Sequence, residues 1–271
     1  NGIPQNRMDI IISTTEHIAV HAVCNYLQTT FNHYINIIKI NVDETGQVDI
    51  NELKEKLSPY TKIVSIMMAN NETGTINEIE QLCSIVKLYN SDIIFHTDAS
   101  QAIGKIHVDV QQLNIDLLTI AGHKIYGPKG IGALYVKNKE IKLASIIHGS
   151  TTQEYGYRGG TENVILSVAL GHACSIFTKN ASFIRNHMLQ MKKLLLKSIK
   201  TQIQSSKINI PYSINGHPVS CLPNTISISF HHLNANDILN GVNEIFVASA
   251  GAACHSNNDH NITISAVLKA M

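Results

Sequence analysis

The sequence lacks the usual marks of a membrane protein, a disulfide scaffold or a nucleic-acid binder. Lysine and arginine total 21 against 20 aspartates and glutamates, so no charge excess favours nucleic acid or an anionic membrane. The longest apolar stretch, Ile165 to Phe177, is interrupted by His172 and is too short to span a bilayer. The five cysteines are scattered and never spaced as Cys-x-x-Cys, which argues against a zinc site or a disulfide framework. We therefore expect a reducing compartment and no membrane, nucleic-acid or metal partner.

Size and composition predict a large packed domain followed by a smaller one. Of the 271 residues, 44% are hydrophobic and 15% are charged, which is typical of a folded core. We place the large domain at residues 1–180 and the small domain at residues 181–271. The chain begins with Asn1 and stops inside a helix-like pattern at residues 264–271, so both ends look cut and both domains look incomplete.

Strand and helix patterns alternate through the first 140 residues. Apolar β-type runs predict strands at residues 9–13, 35–40, 62–69, 92–95, 117–120 and 131–136. Amphipathic patterns predict helices at residues 16–29, 49–57 and 78–88. The later chain predicts a long helical region with a polar interruption near residue 180, strands at 224–230 and 245–248, and a helix at 236–242. Alternation of this kind predicts an α/β fold with a mainly parallel sheet.

The most distinctive stretch of the chain runs from Leu117 to Gly132. An apolar run predicts a strand that ends just before His123 and Lys124, in a segment rich in glycine. Lys124 has two interpretations. It is a solvated surface lysine, or it lies partly desolvated at the end of a buried strand, where its amine can act as a nucleophile or base.

Polar residues at other strand ends decide between these interpretations. In open α/β sheets, ligands bind at the carboxyl ends of the strands. A pyridine cofactor that stores electrons needs a carboxylate, a partner for its phenolic oxygen, a stacked ring and a lysine. The predicted strand ends offer this set, in Asp98, Gln101 or Asn71, His17 and Lys124. Backbone donors for a phosphate can come from residues 159–161, ahead of a predicted helix at Asn163.

Five segments resemble those of a known family in order and spacing. They are TEHIAV (15–20), NNETG (70–74), HTDASQ (96–101), GHKIYGPKGIGALY (122–135) and RGGTEN (158–163). Together they resemble the cysteine desulfurase and selenocysteine lyase group of pyridoxal-phosphate enzymes, which have the class V aminotransferase fold. The resemblance implies a fold type I large domain with a mainly parallel sheet, plus part of a small C-terminal α+β domain.

The resemblance also implies roles for the residues in these segments. Lys124 would hold pyridoxal 5′-phosphate as an internal aldimine and move the substrate α-proton, and Asp98 would pair with the ring nitrogen. His17 would stack on the ring. The remaining cofactor contacts would be Asn71 and Gln101 at the phenolic oxygen and His123 at the phosphate. Thr161 would reach the phosphate of a neighbouring subunit, which implies a homodimer with shared sites.

Cys254 lies in a small-residue segment, ASAGAACHS. A lone cysteine is more often an inert, buried group than a catalytic one, and we take Cys24, Cys83, Cys174 and Cys221 as such. The resemblance instead implies that Cys254 attacks the sulfur or selenium of the substrate and leaves alanine. His255 is adjacent in sequence, which alone does not place it beside the thiol.

Selenocysteine is the substrate we predict first. GAACHS, LPNT (222–225) and Ala121 are more similar to selenocysteine lyases, which release selenide or selenium from L-selenocysteine. The alternatives are a cysteine desulfurase that passes sulfur from L-cysteine to an acceptor protein, and a truncated, non-catalytic dimerisation partner. We expect a cytosolic location, or a mitochondrial one for the desulfurase.

Four departures limit what the resemblance carries over. Ala121 stands where the family often has a serine that binds the phosphate, and Ile18 follows His17 at a position that varies within the family. Ser150, Thr151 and Thr152 replace the family's glycine run. The upstream phosphate-binding turn and the arginine that binds the substrate carboxylate both lie outside this sequence. Arg158 belongs to the RGGTEN segment and does not take that missing role.

Overall fold

A six-stranded sheet forms the centre of the structure, a computed structural model that describes residues 7–138, 140–206, 210–242, 244–250 and 264–271. Its strands are Met8–Ser13 (β1), Ile35–Ile40 (β2), Thr61–Ser65 (β3), Ile94–Asp98 (β4), Leu117–Ala121 (β5) and Gly132–Val136 (β6). The order across the sheet is β2-β1-β3-β4-β5-β6. All neighbours pair in parallel except β5 and β6, which are antiparallel. The predicted α/β fold with a mainly parallel sheet is confirmed.

Six helices and a two-stranded sheet complete the described chain. The helices are Ile18–Thr30 (α1), Ile50–Lys56 (α2), Ile79–Tyr89 (α3), Val164–Ser205 (α4), Ala235–Val242 (α5) and Ala266–Ala270 (α6). The small sheet pairs Tyr212–Asn215 (β7) with Ser227–Phe230 (β8) in antiparallel fashion. Strand β8 and helix α5 lie within or near predicted elements, whereas β7 was not predicted from the sequence.

Both faces of the large sheet are buried, because successive side chains of a strand point to opposite faces. On one face Ile11 belongs to the main core, together with Leu53 of α2 and Leu82 of α3. On the other face Ile10 and Ile12 pack with Cys24 of α1. Helices therefore pack on both faces of the sheet. The carboxyl ends of its parallel strands lie at one end of the sheet, between these two layers.

Helix α4 corrects two expectations from the sequence. It continues without a break from Val164 to Ser205, so the polar residues near position 180 do not interrupt the helix as predicted. Among the described residues, it is also long and apolar enough to cross a membrane by length and composition, although we expected no such segment. One such helix is weak evidence for a membrane span, because core helices pass the same test. The domain division at residue 180 falls inside α4 and stays a prediction.

Several predicted strands also differ from the structure. Strand β4 spans Ile94–Asp98 rather than residues 92–95, and β8 begins at Ser227 rather than at residue 224. Strand β3 ends at Ser65 rather than at residue 69, because the Met67 N–H donates to the Glu16 carboxyl (2.7 Å) instead of to a strand. The strand predicted at residues 245–248 is wrong. Ile245 and Val247 are 90% and 94% exposed, so the apolar pattern there is not buried against a neighbour.

Candidate active site

The carboxyl ends of β1, β3, β4 and β5 meet at one edge of the large sheet. Beyond the end of β3, Met68 N–H donates to the Asp98 carbonyl (2.9 Å), and on the other side Ala99 N–H donates to the Thr119 carbonyl (3.1 Å). The end of β4 is thus fixed between its neighbours. Asp98 itself is the last residue of β4.

Asp98 is half-buried and keeps one carboxylate oxygen available. Its Oδ1 accepts a hydrogen bond from the Ser100 backbone N–H (2.8 Å). Within the described ranges, Oδ2 accepts none. A carboxylate in this state can accept a hydrogen bond from a ligand N–H group.

Glu16 is a second carboxyl near Asp98, and it is only 4% exposed. Its Oε1 accepts hydrogen bonds from the Ser13 hydroxyl (2.8 Å) and the Met67 N–H (2.7 Å). Burial, reinforced by the negative charge of Asp98, raises the pKa of Glu16 to about 8. At neutral pH Glu16 is therefore mostly a neutral acid.

A small cavity adjoins this edge, with a volume of about 60 Å³. His17, which caps α1 by accepting the Ala19 N–H at Nδ1 (3.3 Å), lines it together with Asn71. Neither Asp98 nor Lys124 lines it. Three buried polar atoms on its lining residues have no partner in the described part of the chain, namely Thr14 Oγ1, Glu16 Oε2 and His21 Nδ1. A polar ligand or water molecules in the cavity could therefore form hydrogen bonds with these three atoms.

The NNETG turn places Asn71 through its neighbour Asn70. Asn70 is buried, and its Oδ1 accepts the backbone N–H groups of Glu72 (2.8 Å) and Thr73 (3.0 Å). Its Nδ2 donates to the Thr15 carbonyl (3.2 Å), which joins the turn to the start of α1. Asn70 is thus a structural residue, and Asn71 is the one at the cavity.

Lys124 lies on a 3-10 turn, Gly122–Ile125, directly after β5. The turn needs glycine at its first position, because a Cβ on Gly122 would lie 2.8 Å from the Ile131 carbonyl oxygen. Both His123 and Lys124 are exposed. The partial desolvation expected of Lys124 is therefore not seen among the described residues, although α4 packs against Ile125 of the same turn. Its role stays a prediction.

The sequence interpretation missed Lys105, which is 7% exposed. Its Nζ donates to Gln101 Oε1 (2.9 Å). Burial, together with the positive charge of Lys124, lowers the pKa of Lys105 to about 8. The spacing of four residues after Gln101, one helical turn, is the sequence signal that could have identified it.

A hydrogen-bonded chain across three strands was also missed. The Ser65 hydroxyl lies 2.7 Å from His96 Nδ1, and His96 Nε2 lies 2.9 Å from the Thr119 hydroxyl. Burial lowers the pKa of His96, so the ring is neutral at pH 7. Because alternate residues share a face, His96 lies on the same face of β4 as Asp98.

The segment before α4 corrects the predicted phosphate site. The Gly159 N–H donates to the Ile147 carbonyl (2.7 Å), and the Gly160 N–H donates to Gln153 Oε1 (2.7 Å). These two backbone donors are already used within the loop, so they do not offer the phosphate contact we expected. Thr161 is exposed beside them.

Two of the predicted residues, Cys254 and His255, lie outside the described residues. Among those described, no group of three or more histidine, cysteine, aspartate or glutamate side chains could hold a metal ion.

Comparison with known proteins decides the family. The family model described as "Aminotransferase class-V" matches residues 2–270. The chain belongs to the class V aminotransferase family. This family, which includes the cysteine desulfurases, depends on pyridoxal 5′-phosphate.

Class V relatives cover most of this chain. A "Cysteine desulfurase IscS" of Methanosarcina thermophila is 37% identical over 251 residues, which are 92% of this chain and 58% of that protein. A solved "NIFS-LIKE PROTEIN" has a TM-score of 0.83 at 30% identity and covers 99% of this chain and 66% of its own. "SspA in complex with cysteine" has a TM-score of 0.78 at 31% identity and covers 98% of this chain and 70% of its own. The chain spans less than two thirds of the IscS relative's length.

The described residues fit the ring of the class V cofactor. Asp98 Oδ2 is available for the ring nitrogen, and the neutral Glu16 adds no second negative charge there. Gln101 binds Lys105 through its oxygen, which leaves its amide N–H groups for an acceptor. The phosphate end is less complete, because the loop donors at Gly159 and Gly160 are engaged.

Proposed function

We propose that this chain is part of a pyridoxal-phosphate enzyme that removes sulfur from L-cysteine and leaves alanine. The observation that carries the proposal is the Asp98 carboxylate at the end of β4, whose Oδ2 is available while the buried Glu16, which follows β1, is mostly neutral. The bound cofactor would draw electrons away from the substrate α-carbon. Cysteine is favoured over selenocysteine as substrate because the relatives are named cysteine desulfurases and SspA was solved with cysteine.

Each residue at the sheet edge has a role in this proposal. Lys124 Nζ binds the cofactor and then accepts the substrate α-proton as a general base. The Asp98 carboxylate accepts the hydrogen bond of the ring nitrogen, and His17 covers the ring. At the periphery, Asn71 and Gln101 donate to the phenolic oxygen and His123 contacts the phosphate.

Cys254 takes the sulfur in this proposal. Its thiolate forms an S–S bond with the substrate sulfur as the substrate C–S bond breaks, and that bonding pair goes to the substrate carbon. The β-carbon takes up one proton and the α-carbon regains its proton from Lys124, which gives alanine. The persulfide on Cys254 then passes its outer sulfur to a thiol of an acceptor protein.

Selenocysteine lyase is the second candidate. Ala121 and the GAACHS segment favour it, and the same lysine, aspartate and cysteine would act on the selenium atom. Both candidates include a homodimer in which Thr161 reaches the neighbouring subunit's phosphate. The proposed location is the cytosol, or the mitochondrion for a desulfurase.

Trapping the cofactor tests the proposal. The full-length protein and the 271-residue chain are loaded with pyridoxal 5′-phosphate, reduced with borohydride and digested, and the modified peptide is identified by mass spectrometry. We expect the label on Lys124, and alanine formed faster from L-cysteine than from L-selenocysteine. Label on Lys105 would overturn the role of Lys124. Faster release from selenocysteine would favour the lyase, and label without alanine from either substrate would favour a non-catalytic partner.

A further inference from the structure

Lys105 is the one lysine buried in the part of the chain that the structure describes. It lies in the turn after β4, where Ala102 N–H donates to the Ala99 carbonyl (2.9 Å) and Lys105 N–H donates to the Ala102 carbonyl (3.0 Å). These turns bring Lys105 Nζ over Gln101 Oε1, at 2.9 Å. Within the described ranges this is the only hydrogen bond that the ammonium makes.

The chemistry of the two side chains fixes the orientation of the amide. A lysine ammonium has three donors and no acceptor, whereas a glutamine has an acceptor oxygen at one side of its amide and two N–H donors at the other. The oxygen of Gln101 must therefore face Lys105, and its N–H groups must face away. With an apolar side chain at position 105, either face of the amide could point inward.

We propose that Lys105 is a positioning residue that orients the Gln101 amide, so that its N–H groups face the phenolic oxygen of the cofactor. This inference rests on the proposed function, which places Gln101 beside that oxygen. It assigns Lys105 no direct contact with the substrate or the cofactor.

Stability does not account for a lysine at this position. Burying an ammonium is costly unless a carboxylate offsets it, and the partner of Lys105 is a neutral amide. Its pKa, lowered to about 8 by burial and by Lys124, agrees with an ammonium that no carboxylate stabilises. An apolar side chain of similar length would fill the same space at less cost.

The turn that carries Lys105 is itself held firmly. Gly104 has φ of +78°, and a Cβ there would lie 2.7 Å from the Phe177 ring. Phe177 of α4 packs against this turn and also stacks on Tyr126, two residues after Lys124. Phe177 therefore contacts both the turn that carries Lys105 and the residue that follows the Lys124 turn.

A double-mutant cycle tests the inference in the cofactor-loaded protein. We expect Lys105→Met to shift the pH at which the visible band of the bound cofactor titrates by about one unit, and to lower kcat/KM about tenfold. The urea midpoint of unfolding should not fall. Gln101→Leu should produce the same shift, and adding Lys105→Met to it should change nothing further. Lys129→Met, which removes an exposed lysine from the glycine-rich loop that carries Lys124, is the control for loss of positive charge.

The outcomes separate this inference from the proposed function. If the shift in the double variant equals the sum of the two single-variant shifts, Lys105 acts by its charge alone, and the positioning role is overturned. A lower unfolding midpoint without a spectral shift would overturn it in favour of a structural role. If the parent protein shows no visible band, the proposed function fails, and the side-chain amide resonance of Gln101 in the cofactor-free protein still tests the bond. An unchanged resonance in Lys105→Met would then overturn the inference.

Discussion

The Phe177 ring of α4 stacks on the Tyr126 ring, with centroids 6.2 Å apart and planes within 7° of parallel. Tyr126 follows the turn that carries Lys124, and its backbone has the left-handed conformation, with φ of 59°. The edge of the same phenylalanine lies against Gly104, beside Lys105. One side chain of α4 thus holds together two turns from different parts of the chain, and both turns carry a lysine of the candidate site.

We expect Phe177→Ala to lower the free energy of unfolding by about 3 kcal/mol, because it removes a large buried side chain and leaves a cavity. Urea denaturation monitored by circular dichroism measures the change. Phe183→Ala is the matched control, since Phe183 belongs to the same helix but is 74% exposed. Equal losses for the two variants would contradict the bridging role of Phe177.

Glu16→Gln should change how stability depends on pH. The raised pKa of Glu16, about 8, means that the unfolded chain ionises this group near the ordinary glutamate pKa of 4.5, whereas the folded chain keeps it neutral. The resulting loss in the free energy of unfolding is absent below pH 4.5 and grows as the pH rises towards 8. We therefore expect Glu16→Gln to be more stable than the parent by a few kcal/mol at pH 8, and similar to it at pH 4.

The measurement for Glu16 is a series of urea midpoints between pH 4 and pH 8. Glu55→Gln, at an exposed position of α2, serves as the control and should follow the parent across the whole range. A Glu16→Gln profile that runs parallel to the parent profile would mean that Glu16 is already ionised in the folded protein.

Asn70→Ala and Asn71→Ala should affect different properties. Asn70 is buried and its amide makes three backbone hydrogen bonds, so its removal should cost about 2 kcal/mol of stability. Asn71→Ala should leave the unfolding midpoint nearly unchanged and weaken the binding of pyridoxal 5′-phosphate. Denaturation curves and equilibrium dialysis separate the two effects, and the same profile for both variants would count against this division of roles.

Cys254→Ala should abolish sulfur or selenium release while the protein still binds the cofactor. The thiolate is the proposed acceptor of the chalcogen, and alanine at that position has no nucleophile. Release is measured as sulfide or selenide with a reducing thiol present. Cys174→Ala, at a half-buried position in α4, is the control and should retain release. Retained release in Cys254→Ala would remove the thiol from the mechanism.

Periodicity in the sequence was sufficient to predict the sheet, because its strands are apolar runs bounded by polar residues. Strand β2 was predicted with its observed bounds, Ile35–Ile40. Strand β3 was predicted too long, since no pattern reveals that a glutamate distant in sequence would take the Met67 N–H. The apolar run at Ile245 was predicted as a strand because hydrophobicity alone does not show whether a neighbouring strand is available.

The candidate site was predicted only in part, for a similar reason. Asp98, Asn71 and His17 stand at strand ends that a pattern can locate. The neutral state of Glu16 and the burial of Lys105 depend on packing between segments, which the order of residues does not display. The exposed state of Lys124 and the engaged donors of Gly159 and Gly160 are properties of this fold, and the family pattern did not predict them.

The unbroken course of α4 also bears on how the chain can move. From Phe177 to Lys192, whose ammonium donates to the Leu222 carbonyl (3.0 Å), the helix runs about 22 Å as a stiff rod. A tilt of the helix at Phe177 is therefore transmitted through Lys192 to the segment around Leu222. Because the helix has no hinge at residue 180, the parts of α4 on either side of that residue move together.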